Sequence, residues 1–300
     1  MRKIKTILIG MGNIGYSNDI NKKTKIQSHY KALCQNRYIN LIGVVEKKKI
    51  DLVDKKINVF KNLNEIVSIN FELAVIAVPT KYHFNILKFL INLKHPKAII
   101  CEKPFTDELK KAKDIIFLSK KNKKKIYVNY FRRSIPSFLK LLKYLNKFKT
   151  SKKMNIFYSK SLLRNGCHFI DFAQFLFGKV QFHRYDKFKN ILYLKSTNSL
   201  ITLNFLKKKQ SENSFEIFLE DKIINVDKNS KIYEKKIMLK NSKFKQIFKK
   251  SREEMDIFQK LSLNNFIKHY LKKSKHSKLA ISSNKVLLNT LNIIKKTKQN

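Results

Sequence analysis

The sequence predicts an α/β fold in two parts: a doubly wound parallel sheet, followed by an α+β half built on an open, mostly antiparallel sheet. Three observations predict it. Up to residue 130, short apolar runs alternate with helical patterns. From 180 to about 240, strand-like runs follow one another with no helix between them. Three of the chain's six glycines fall within ILIGMGNIG, residues 7–15.

The opening run IKTILI (4–9) ends in glycine; INLIGVVE (39–46), FELAVIAVP (71–79), PKAIICEKP (96–104) and KKIYVNY (124–130) supply four more strands. Between them IQSHYKALCQ, NLNEIVS, TKYHFNILKFLINL and TDELKKAKDIIFLSKK read as helices. Near-continuous apolar strands need cover on both faces, and intervening helices supply it, so the sheet is parallel. Beyond 145 the pattern changes. SFLKLLKYLNKF is helical, MNIFYSK (154–160) is a strand and LLRNGCHFIDFAQFLFG leads into a helix. QFHRYDKF, NILYLKST, SLITLNFL, NSFEIFLED, KIINVD and KIYEKKIML then form the antiparallel series. EEMDIFQKLSLNNFIKHYLKK and SNKVLLNTLNIIKK close the chain as helices. The expected division is 1–125 for the parallel-sheet domain and 126–300 for the second domain.

At 300 residues and 43% hydrophobic content the chain can bury two ordinary cores. Cys34, Cys101 and Cys167 are an odd, widely spaced set without CxxC or His pairing. That argues against a disulfide scaffold or a metal site and suits a reducing cytoplasm. No apolar run approaches the roughly 20 residues of a membrane span, and the basic, apolar start lacks a small-residue cleavage site, so a signal peptide is not expected. The net charge of +45 would attract nucleic acid nonspecifically. Yet Lys is spread through every segment, in company with Asn, Ile and Phe, as AT-rich coding imposes. No basic arm or recognition helix stands out, so no specific nucleic-acid partner is expected.

Gly10-Met-Gly12-Asn13-Ile14-Gly15 follows a strand and turns toward a helix, the context a dinucleotide fingerprint requires. The first glycine makes the tight turn, the second lets backbone approach a pyrophosphate, and the third lets strand and helix pack. N–H groups of the following turn then face the anion. An acid should end the second strand and take the adenosine ribose hydroxyls. Glu46 stands there, 31 positions beyond Gly15 against roughly 20 in the fingerprint. The excess falls in YSNDINKKTKIQ, read as an inserted loop. An acid favours NAD over NADP, and Lys47–Lys49 act in the opposite sense, so both coenzymes stay open. So does the plain reading of Glu46 as a surface residue at a strand end.

AVIAVPTKYHFNIL (74–87), CEKPF (101–105) and GCHFID (166–171), in that order after the glycines, resemble the Gfo/Idh/MocA oxidoreductase family, and the similarity runs nearly end to end. VNYFRRSIP (128–136) resembles the exit from the cofactor domain, and KLAISSNKVLLNTLNII (278–294) the closing helix. The long loop and YSKSLLRNGCHFIDFAQFLFG are similar to members tied to surface-polysaccharide and sugar-nucleotide biosynthesis. The resemblance implies a Rossmann domain plus an open substrate-carrying sheet that also serves homo-oligomer contacts. It implies hydride transfer between NAD(P) and a secondary alcohol or ketone of a sugar or sugar-nucleotide.

Such chemistry needs a group for the hydroxyl proton. Lys103 follows a strand at the carboxyl edge, where ligands of doubly wound sheets bind; by resemblance it is the proton-transfer lysine. By resemblance His168 is the substrate-side acid–base histidine; a capping or core histidine is the alternative. Asp171 reads as a supporting partner for this helix or for His168, on the substrate side, rather than as a catalyst. Many members carry an aspartate where this chain has Arg164, which cannot move that proton and suits a substrate carboxylate or phosphate instead. Thr80 is placed to cap the helix after the third strand, and the resemblance sets Pro79, Thr80, His83 and Glu102 around the nicotinamide ribose. Asn129, Arg132, Arg133, Tyr158 and Lys160 are substrate-side candidates for which surface or packing roles are equally open. No metal site is expected. The competing function is an NAD(P)-binding sensor without turnover, suggested by Arg164.

Overall fold

The computed structural model describes residues 2–50, 52, 54, 56–206, 213–237, 242–271 and 281–299. It divides into two compact units, Met1–Phe131 with Asp256–Ser282, and Arg132–Met255 with Ser283–Asn300. The first unit thus takes back a segment from far down the chain, inside the range 126–300 expected for the second domain.

In chain order the strands are β1 Ile4–Ile9, β2 Ile39–Val45, β3 Asn58–Phe60, β4 Leu73–Ile76, β5 Ala98–Cys101, β6 Lys125–Val128, β7 Lys152–Tyr158, β8 Gln181–Asp186, β9 Ile191–Ser196, β10 Ser199–Phe205, β11 Ser214–Phe218, β12 Lys222–Val226, β13 Ile232–Lys236 and β14 Lys245–Ile247. The α-helices are α1 His29–Cys34, α2 His83–Asn92, α3 Leu109–Lys121, α4 Pro136–Leu145, α5 Cys167–Phe177, α6 Ser251–Asp256, α7 Phe258–Tyr270 and α8 Asn284–Gln299.

The first unit carries a six-stranded sheet of order β3-β2-β1-β4-β5-β6, with every pairing parallel. Its central strands are buried from end to end: LAVI in β4 and AIIC in β5 have no exposed face. Helix α2 buries His83, Leu87, Leu90 and Ile91, and α3 buries Ala112, Ile115, Ile116 and Ser119. Both sets follow helical spacing, so each helix lays one stripe on the sheet. Helix α7 does the same from the returning segment. Leu263, Phe266 and Ile267 share a core with Ile4, Leu41, Leu73, Ala98 and Tyr127, and the Phe266 ring meets Tyr127 edge-on at 4.8 Å.

Two helical expectations shrink. NLNEIVS forms only a 3-10 turn, Leu63–Ile66, capped by the Asn62 side chain. The glycines lead into a single π-helical turn, Asn13–Ser17, followed by the predicted loop. That loop is bolted down rather than loose. Buried Asp19 accepts the Gln27 N–H, and the Ser28 N–H at 2.9 Å, while Ile26 pairs with the backbone of Asp256 and Gln259. Ser28 then caps α1 through the Lys31 N–H. The three-residue strands β3 and β14 were too short to stand out in the sequence.

The second unit carries eight strands in the order β14-β13-β12-β11-β7-β10-β9-β8. All neighbours are antiparallel except β7 and β10, which run parallel at the centre. One meander, β8 to β10, and another, β11 to β14, dock on opposite edges of β7. Helix α5 is buried at every residue from Cys167 to Leu176, and the polar side chains Asp171 and Gln174 within that run find protein partners. Gln174 fastens α8 to it: its amide donates to Thr290 Oγ1 at 2.8 Å and its carbonyl accepts from Asn289 at 2.7 Å. Among the described residues no helix is long and apolar enough to cross a membrane, and no disulfide joins the three cysteines.

If α7 completes the first unit, Phe266→Ala removes an aromatic from that unit's core. It should cost about 3 kcal/mol or more, read as faster hydrogen exchange in β1, β4, β5 and β6 with the second sheet unchanged.

Candidate functional site

The carboxyl ends of β1, β4 and β5 are neighbours, and three turns leave the sheet there. The first is the glycine turn. Gly10 has φ +94°, and a Cβ on it would lie 2.6 Å from Val78 and 2.8 Å from the Ala77 carbonyl oxygen. A Cβ on Gly15 would lie 2.2 Å from the Gly10 carbonyl oxygen. Neither position admits another residue. Gly12 is the opposite case: nothing lies within 4 Å of where its Cβ would be. Two glycines therefore close the turn and the middle one opens it, the arrangement that lets an anionic diphosphate reach backbone. The first N–H groups of the turn over Asn13, Ile14 and Gly15 have no partner within a helical turn. Glu46, at the end of β2, accepts the Met11 N–H at 2.9 Å and the Lys48 N–H at 3.1 Å. It braces the glycine turn from the end of β2.

The second turn follows β4. Pro79 is exposed and Thr80 half-buried at this edge. The expected cap is absent: no side chain caps the 3-10 turn over Thr80–Tyr82 or the start of α2. The helix starts three residues later than Thr80, out of reach of its hydroxyl. His83 also departs from expectation. It is fully buried, with Nδ1 2.9 Å from the Pro104 carbonyl and Nε2 2.9 Å from the Val78 carbonyl. Both ring nitrogens are taken up in tying the second turn to the third, so His83 shapes this edge and offers a ligand no polar atom.

The third turn, after β5, holds Glu102 and Lys103. Lys103 is half-buried. Glu102 is not a cleft residue as expected but a buried one, 5% exposed. Its Oε1 accepts from His29 Nε2 at 2.8 Å and from Asn129 Nδ2 at 2.6 Å; its Oε2 accepts the Lys103 main-chain N–H at 3.2 Å. Asn129 is itself held by α7: its amide donates to Gln259 Oε1 at 2.9 Å, and its carbonyl accepts from the Ser262 hydroxyl at 2.6 Å. Asn129 thus serves this network rather than a substrate. Burial by itself raises the Glu102 pKa. The hydrogen bond and charge of His29, the charge of Lys103 and the Asn129 amide outweigh it and bring the carboxyl down to about 2. Burial, then the Glu102 charge, pushes the neighbouring Cys101 thiol well up.

In the second unit, His168 is buried in the first turn of α5, after a π-helical turn, Leu162–Gly166, capped by Ser161. Asp171 does not present its carboxylate to a ligand. It is 1% exposed and accepts from Arg133 Nε at 2.7 Å, while its carbonyl accepts from the same guanidinium at 3.1 Å. Arg133 is consumed in that pair. Arg132 lies over the Phe169 ring at 4.4 Å, and burial brings its pKa down to about 10 against the raising effect of Cys167 and Asp171. Tyr158 is buried between Phe169 and Phe205, and its hydroxyl pKa is raised by burial, then by Tyr185. Arg164 and Lys160 are exposed. Sequence reasoning missed His29, Gln259 and Ser262, because a lone histidine in a short helix and two polar residues far along the chain carry no motif. Among the described residues no group of His, Cys, Asp or Glu is arranged to hold a metal ion.

Comparisons with known proteins bear on the fold. Residues 4–130 match the Gfo/Idh/MocA model, described as an oxidoreductase family with an NAD-binding Rossmann fold. An uncharacterized oxidoreductase of Schizosaccharomyces pombe is 31% identical over 98 residues, 32% of this chain and 26% of that protein, so the match spans about a quarter of the relative. Solved structures cover almost the whole chain. A UDP-N-acetylglucosamine 3-dehydrogenase from Acidithiobacillus ferrooxidans gives a TM-score of 0.72 at 13% identity, covering 98% of this chain and 96% of its own. A variant of a 3-ketoreductase from Actinomadura kijaniata, in complex with TDP-benzene and NADP, gives 0.76 at 10%, covering 99% and 98%. A Clostridium difficile dehydrogenase gives 0.74 at 17%, covering 99% of each chain. At such identities the likeness is one of fold.

The lowered Glu102 pKa makes a signed prediction. A carboxyl held at about 2 instead of its ordinary 4.5 stabilises the folded state fully above 4.5 and progressively less as pH falls through about 2. Urea denaturation of the first unit should show stability dropping across that window, and Glu102→Gln should remove this part of the slope.

Proposed function

We propose, from the match of residues 4–130 to the Gfo/Idh/MocA oxidoreductase family with its NAD-binding Rossmann fold, that this chain is an NAD(P)-dependent dehydrogenase or reductase acting on a CH–OH or ketone group of a sugar or sugar-nucleotide, in surface-polysaccharide biosynthesis. The observation that carries the reading is the open space over Gly12 between two closed glycines, on the same sheet edge as Lys103. Gly10, Gly12, Asn13, Ile14 and Gly15 hold the diphosphate against backbone, Glu46 takes the ribose hydroxyls, and Pro79 and Thr80 border the ring. When bound, the coenzyme supplies hydride acceptance or donation. Lys103 then holds and moves the proton at the reacting oxygen of the substrate.

His168 serves the substrate side in this reading, with Arg132 and Tyr158 shaping its surroundings, and exposed Arg164 binds a substrate carboxylate or phosphate by its planar fork. The sugar-nucleotide substrate class is supported by the named activities of the two fold relatives, a UDP-sugar dehydrogenase and a ketoreductase. Three cysteines without a disulfide fit a cytoplasmic setting.

Two measurements test the reading. Gly12→Val should fold as the wild type, since no protein atom lies within 4 Å of the new Cβ, yet lose about tenfold or more in NADH affinity by fluorescence titration, the valine standing where backbone must meet the diphosphate. Lys103→Ala should keep NADH binding and lose about 10²–10⁴-fold in turnover on whichever nucleotide sugar of a panel changes nicotinamide absorbance. Full activity in Lys103→Ala would overturn the assignment of that lysine. NADH binding with no hydride exchange to any sugar would turn the reading toward a sensor.

A further inference from the structure

The buried cluster beneath Lys103 does more than fill the core. We propose that His29 is a positioning residue for Lys103: with Asn129, and with Gln259 and Ser262 from α7, it fixes the Glu102 carboxylate in one orientation, and Glu102 fixes the backbone of Lys103. The inference rests on the reading of Lys103 as the proton-transfer group.

Geometry carries it in three steps. First, Glu102 reaches Lys103 directly, because its Oε2 accepts the Lys103 N–H at 3.2 Å. Second, its other oxygen is pinned by His29 and Asn129 at 2.8 and 2.6 Å, and Asn129 is held in turn by Gln259 and Ser262. Third, His29 is delivered to its place by the inserted loop. Asp19 binds the Ser28 N–H at 2.9 Å, Ser28 caps α1, and His29 is the first residue of that helix. The loop that lengthens the glycine fingerprint thereby acquires a purpose. The titratable groups facing Glu102 are His29 from α1, Cys101 at the end of β5 and Lys103 from its own turn. The end of β6 and α7 contribute the neutral Asn129, Gln259 and Ser262. The histidine of α2, His83, is bound to backbone carbonyls instead.

A purely structural ion pair would affect folding and leave Lys103 as it was. The test therefore reads Lys103 itself, by the rate of its acetylation in the full-length protein at one pH, with peptide mass spectrometry and exposed Lys110 as internal reference. Losing the fixed Glu102 acceptor frees the Lys103 N–H and loosens the turn that aims the side chain, so the amine meets the reagent more often. Glu102→Gln, whose amide cannot satisfy both the donors and the turn, and His29→Ala should each raise the Lys103 rate about tenfold, while His29→Gln, which keeps a donor toward Glu102, stays near wild type and NADH titration is unchanged in all. Should His29→Ala not fold, Glu102→Gln decides alone. An unaltered Lys103 rate in folded Glu102→Gln would overturn the proposal. Failure of the wild type to bind NADH would overturn the coenzyme reading instead, with the labelling result still deciding this one.

Discussion

An ionised carboxyl in the interior is tolerated only where donors converge on it, and Glu102 is the point where that requirement organises the first unit. Unpaired, its burial would cost more than the margin by which domains of this size are stable. The compensation draws on four separate pieces of chain: His29 from α1, Asn129 after β6, the Lys103 main chain, and α7 through Gln259 and Ser262. Each piece must be in register for the cluster to close. The same closure sets the edge on which the glycine turn and Lys103 lie. His83 adds a brace between Val78 and Pro104, so the turns after β4 and β5 move as one.

The second unit solves a similar problem with a different pair. Arg133 and Asp171 are both buried, and the guanidinium meets the side chain and the carbonyl of Asp171 together. The arrangement steadies the first turns of α5, the helix that carries His168. Around it the interior is aromatic, with Phe138, Phe172 and Phe215 packed within about one ring of each other. Planar contacts of this kind hold the apolar faces of the helix, while Asp171 and Gln174 are met by polar partners.

Much of this was legible in the amino-acid order. Continuous apolar strands such as LAVI and AIIC announce a parallel sheet, and the run of strands beyond 180 announces the second one. The glycines were legible because a glycine-poor chain clusters them where backbone must turn and stay open. What was not legible was long-range. Nothing in FQKLSLNNFIKHY says that it packs beside the opening strands, since an apolar stripe records that a helix is covered and not by what. His83 and Glu102 differ from expectation for the same reason, and Asn129 and Asp171, which the sequence leaves open between supporting and substrate-side roles, take protein partners in the fold. A polar side chain beside a functional motif looks available in the sequence, and only the fold reveals that protein donors and acceptors have already claimed it. The parallel pairing of β7 with β10 was hidden because strand patterns carry a period but no direction.

The return of α7 to the first unit has a bearing on how the molecule is made. A ribosome releases residues 4–130 well before it polymerises 258–270, so the nascent sheet emerges with Tyr127 and its neighbours lacking Leu263, Phe266 and Ile267 as their lid, and with Asn129 lacking Gln259 and Ser262. The order of synthesis therefore runs against the order of completion: the half translated first is the one that must wait, and it matures only when the late segment arrives.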